Sequence, residues 1–107
     1  MGKLDALLKL ADLLDENGGA DAPGFPIVGP VAIRTVTHYY TGRVVEVQHR
    51  FVILADAAWI ADTGRWSEFL TEGTPSEVEP FPDVVAVNLG SIVDVTRWAH
   101  SLPREMK

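Results

Sequence analysis

Residues 31–54 read VAIRTVTHYYTGRVVEVQHRFVIL, and this stretch decides the fold class. Val31, Ile33, Thr35, Val36, Thr37, Tyr39 and Tyr40 make its first part dense in β-branched and aromatic side chains, which suit a pleated, half-buried surface. Gly42 interrupts the run where a strand can bulge or bend sharply, and Arg43 to His49 resumes it with Val44, Val45 and Val47. Gln48, His49 and Arg50 turn the chain. Phe51 to Leu54 is apolar at every position, the pattern of a strand covered on both faces, and Ala57, Ala58, Trp59 and Ile60 continue it past Asp56. Three strands are therefore expected over residues 31–61.

Upstream, Leu4, Leu7, Leu8, Ala11 and Leu14 recur at helical spacing, with Lys9, Asp12, Asp15 and Glu16 on the other side. This predicts a helix over 3–16, ended by Asn17, Gly18 and Gly19, and then a Pro- and Gly-rich connector over 17–30. Downstream, residues 62–83 break the strand pattern. Trp66, Phe69 and Leu70 suggest one or two helical turns within 63–72, which Gly73 and Pro75 stop. Pro80 and Pro82 make the end of this segment extended, and it reads as a solvated acidic insertion peripheral to the fold. Two last strands are expected within 84–98, with Gly90 between them. The fold class is all-β: a strongly bent five-stranded small barrel in one domain over 1–107, with an N-terminal helix and a short helical insertion between strands three and four.

With 107 residues, 47% of them hydrophobic and 22% charged, the chain has the makings of one folded core. No apolar run approaches the ~18 residues of a membrane helix, and no secretory signal is visible. The absence of cysteine removes disulfides and thiolate chemistry and fits the cytoplasm. Of the net charge of −6, a balance of −5 falls between Asp62 and Asp83, where six acids face the single Arg65. A basic partner for this insertion is the sharper reading of that charge, beside the plain one of a solvated loop. No clustered Lys and Arg are present to displace counterions from phosphates, which disfavours a nucleic-acid-coating role.

Helix, strands and glycines in this order resemble the Sm-like small barrel of the LSm and Hfq proteins. The first Sm motif is similar to Thr41-Gly42-Arg43-Val44-Val45-Glu46-Val47 followed by Val52-Ile53-Leu54 and Asp56-Ala57. The second is similar to Val84-Val85-Ala86-Val87 followed by Leu89-Gly90-Ser91-Ile92-Val93. The resemblance implies a ring of subunits. It does not carry over the RNA site: Gln48, His49 and Arg50 stand where the family has Asp and Asn, and Leu89 stands where a basic residue precedes the glycine. Arg34 to Tyr40 with Asp56 to Arg65 also looks like uncharacterised bacterial or phage proteins, which implies no function.

Candidate chemistry is sparse. His38, His49 and His100 fall in different elements at no metal-ligand spacing, so no metal site and no cofactor are expected. Asp56 and Asp62, with a histidine, are the one conceivable acid–base set of a small hydrolase. They read more simply as strand-end residues capping turns. Tyr39, Tyr40, Arg34 and Arg43 form the candidate ligand site, rings to stack on a base and arginines for phosphate. Against this, adjacent strand residues face opposite sides. Trp59, Trp66 and Trp98 read as core or interface. Phe51, Val52, Ile53 and Leu54 form the candidate oligomer interface, because a short chain has little interior to cover both faces of one strand. The expectation is thus a non-enzymatic homo-oligomeric assembly or scaffold protein, a ring or a filament. The alternatives are a ligand- or nucleic-acid-binding ring and, behind it, the hydrolase.

Overall fold

The computed structural model describes residues 27–107. The expected helix over 3–16 and most of the connector over 17–30 lie outside them. The described chain forms six strands and one short helix: β1 (Gly29–Thr35), β2 (Tyr39–Val47), β3 (Phe51–Asp62), α1 (Trp66–Glu72), β4 (Glu77–Pro80), β5 (Val85–Asn88) and β6 (Ile92–Arg97). They make one antiparallel sheet in the order β4-β3-β2-β1-β6, and β5 pairs with the first part of β3 beyond the end of β4. All-β architecture and the single helix at 66–72 agree with the sequence. The five-stranded closed barrel does not. There are six strands, and the pairings leave the sheet open between β5 and β6.

The sheet nevertheless curls. Laid flat, β5 and β6 would be separated by four strand spacings, about 19 Å. The link from Asn88 to Ile92 reaches only about 14 Å at full stretch, and it is shortened by the 3-10 turn Leu89–Ser91. Bringing the two ends together builds the larger core inside the curl. There Val31 and Ile33 of β1, Val52 and Leu54 of β3, Val87 of β5, Leu89 and Ile92 are packed as one buried cluster. The outer face carries a second cluster of Ala32, Ala58, Ile60, Phe69, Val78 and Trp98, which α1 and the C-terminal segment cover.

Two local features differ from the sequence reading, and the bulge at Gly42 agrees with it. The first strand ends at Thr35, and Tyr39 and Tyr40 open β2. A turn lies between, closed by Thr35, whose N–H donates to the His38 carbonyl (2.7 Å) while its Oγ1 accepts from the His38 N–H (2.9 Å). Gly42 sits inside a continuous strand at a bulge, opposite Asp56, which takes a left-handed φ of 51°. The acidic segment is not peripheral: β4 arises within it, pairs with β3, and buries Val78, while α1 buries Phe69.

The C-terminal segment is part of this architecture. Lys107 exchanges two backbone hydrogen bonds with Val78, each 3.0 Å, and so covers the outer edge of β4. Between the end of β4 and the start of β5, Arg104 donates to the carbonyls of Ala57 and Phe81. It thereby ties the C-terminal segment to this part of the sheet, where the Ala57 carbonyl also accepts from the Phe81 N–H at 2.9 Å. Among the described residues, no helix is long and apolar enough to cross a membrane.

Candidate functional site

Register decides where each candidate side chain points, because residues directly opposite each other across a sheet share a face. Asp94, Arg34, Tyr39, Ile60 and Val78 stand in one row across β6, β1, β2, β3 and β4. The adjacent row, on the opposite face, runs Val95, Ile33, Tyr40, Trp59 and Glu79. The two tyrosines are therefore separated by the sheet.

On the outer face, Arg34 forms a two-pronged ion pair with Asp94, with Nε donating to Oδ1 at 3.2 Å and Nη2 to Oδ2. The bond to Asp94, reinforced by its charge, raises the Arg34 pKa further above its ordinary value. The guanidinium also lies 5.4 Å from the centre of the Trp66 ring, a cation–π distance. Tyr39 packs on Trp66 at 5.3 Å, and contacts continue through Phe69 to Trp98 and His100. His100 donates from Nε2 to the Leu70 carbonyl at 2.8 Å. That carbonyl belongs to the last turn of α1, so the histidine caps a helix that has no basic residue of its own there. This face is a packed structural assembly.

Arg43 is also committed, to Asp56 at 3.1 Å, with both side chains about half exposed. Arg34, Tyr39, Tyr40 and Arg43 thus do not converge on one site. Asp62 accepts from the Gly64 N–H at 2.8 Å, an Asx turn closing the end of β3. His49 is exposed in the turn between β2 and β3. Among the described residues, no three His, Cys, Asp or Glu side chains are grouped as metal ligands would be. Of the candidate interface residues, Val52 and Leu54 are buried in the chain's own core, while Phe51 and Ile53 are half-buried on the other face.

The row on the inner face changes character along its length. Ile33 is buried and Val95 packs beside it in the core, Tyr40 is half-buried, and Trp59 and Glu79 are exposed. Beyond Phe51–Leu54, the stretch that pairs with β5, the edge neighbour of β3 is β4. Past that point His38 lies 5.4 Å from Trp59 and 6.1 Å from Tyr40, ring centre to ring centre. Phe81 meets Tyr40 at 6.1 Å and donates its N–H to the Ala57 carbonyl at 2.9 Å. The result is an aromatic surface with Glu79 directly opposite Trp59. The sequence reading placed Tyr40 in a different site and gave Trp59 to the core or an interface. Pairing β2 with β3 from the turn at Gln48–Arg50 would have put these two side by side.

Comparison with protein-family models, with curated proteins and with solved structures finds nothing that matches this chain.

Proposed function

We propose that the protein is a non-enzymatic, self-assembling module of the Sm-like small-barrel kind, acting as a homo-oligomeric scaffold in the cytoplasm, which its cysteine-free composition suits. The observation that carries this reading is the distribution of sheet edges. The chain covers the outer edge of β4 with its own C-terminal residue. Among the described residues, the outer edges of β5 and β6 have no strand partner. Unpaired edges are templates for further strands. Because β5 and β6 are different strands, joining one to the other in a neighbouring copy is a head-to-tail contact. Such contacts yield a ring where the rotation closes and a filament where it does not. The sheet order, with β1 between β2 and the last strand, and the short turn linking the last two strands support the Sm-like resemblance.

This places the interface at strand edges rather than at Phe51 to Leu54, whose buried members already belong to the core. Asp56 is tied to Arg43 and Asp62 to a turn, which supports a structural role for both. The test is Ala86→Lys. Ala86 is an exposed residue of β5, and lysine on an edge strand opposes edge-to-edge pairing. The variant is expected to keep the circular dichroism of the parent and to fall to the mass of one chain. A parent protein that is itself one chain would overturn the reading, as would a variant that retains full assembly.

A further inference from the structure

The exposed aromatic surface on the inner face has no part in the proposed edge pairing, and its chemistry points to a partner. Trp59 is 37% exposed, with His38 exposed beside it and Tyr40 half-buried next in its row. Glu79 stands directly opposite Trp59 on β4, so its carboxylate rises from the same face. Exposed Glu77 and Asp83 lie to either side along the chain. Ring faces carry negative electrostatic potential and attract cations, and a carboxylate beside them adds charge. Arginine suits both, because a planar guanidinium stacks on a ring and forms paired hydrogen bonds with a carboxylate. The molecule already uses this combination on its other face, where Arg34 lies over Trp66 and is held by Asp94. Arg104, the cation near Phe81, is committed to backbone carbonyls.

We propose that His38, Tyr40 and Trp59, with Glu79 beside them, form a docking site for an arginine side chain on a basic segment of a partner protein. The Glu79 carboxylate repels phosphate, which argues against nucleic acid on the same surface. A wholly apolar occupant would strip water from Glu79 without supplying a counter-charge. An arginine-bearing segment satisfies rings and carboxylate together.

The experiment is calorimetric titration of the full chain with a hexa-arginine peptide at physiological salt, with a hexa-glutamate peptide as the opposite-charge control. Trp59→Leu keeps apolar cover but removes the ring, Glu79→Gln removes the charge, and Glu68→Gln on α1 removes a charge away from this surface. The arginine peptide is expected to bind and the glutamate peptide not to. Trp59→Leu and Glu79→Gln should each weaken binding about tenfold, with Glu68→Gln unchanged and all three variants unfolding cooperatively. Equal weakening by Glu68→Gln and Glu79→Gln would reduce the effect to bulk charge and overturn the proposal. Unchanged affinity in Trp59→Leu would overturn it too. So would a Trp59→Leu variant whose particle mass falls while peptide affinity stays the same, since the surface would then belong to a second copy. Binding is counted per chain, so the outcome is independent of whether the protein assembles.

Discussion

At Gly42 a single methyl group is too much. A Cβ there would lie 2.9 Å from the Leu54 Cβ and 3.1 Å from the Ala57 Cβ, both fixed to the neighbouring strand. Gly42→Ala is therefore expected to destabilise the fold by about 1–3 kcal/mol through overpacking, read as a lower urea midpoint; an unchanged midpoint would mean that β2 and β3 do not approach so closely. One position earlier, the Thr41 hydroxyl is buried and has no hydrogen-bond partner among the described residues. Its cross-strand neighbours are Ala32 and Ala58, which offer nothing to bond. Thr41→Val keeps the branched shape and removes the orphaned group, so a gain of about 1 kcal/mol is expected. Equilibrium unfolding would show it, and a loss of stability would indicate a partner for the hydroxyl. Of these two residues, only the glycine was legible in the sequence, as a bulge. Nothing in a string of letters says that a threonine between two alanine partners lacks an acceptor.

At the scale of elements, strands announce themselves where β-branched residues are dense and fail to do so where prolines and acids dominate. β2 and β3 were legible because Val44, Val47 and Phe51 to Leu54 carry the pattern and Gln48 to Arg50 marks the turn. The two bulges between them cancel, so the pairing of Tyr40 with Trp59 was also within reach of a count from that turn. The break after Thr35 was not, since Thr35-Val36-Thr37 are strand formers and the turn is made by side-chain hydrogen bonds. β4 was hidden for a different reason. Glu77-Val78-Glu79-Pro80 has one apolar residue between two acids, which is how a short strand with one buried position looks. Pro80 is tolerated at its last position, where a missing N–H costs little. Phe69 measures whether this region is structural. It is buried against Trp66 and Trp98, so Phe69→Ala should cost about 3–5 kcal/mol. A change within about 0.5 kcal/mol, as for a surface position, would restore the acidic segment to the periphery.

At the scale of the whole molecule, a curled open sheet leaves two strands, β5 and β6, joined by one short turn, with their outer edges unpaired among the described residues. The aromatic surface beside β4 was illegible in sequence because it depends on β4, a strand hidden among acids and prolines, standing next to Trp59. The edges were legible in outline, since a short chain of strands must leave some unpaired. Self-assembly through those edges is tested most directly by sedimentation velocity of the parent protein over a wide dilution series. A discrete particle of several chains, or a filament that shortens on dilution, is expected. A folded species with the mass of one chain at every concentration, up to high micromolar, would contradict it.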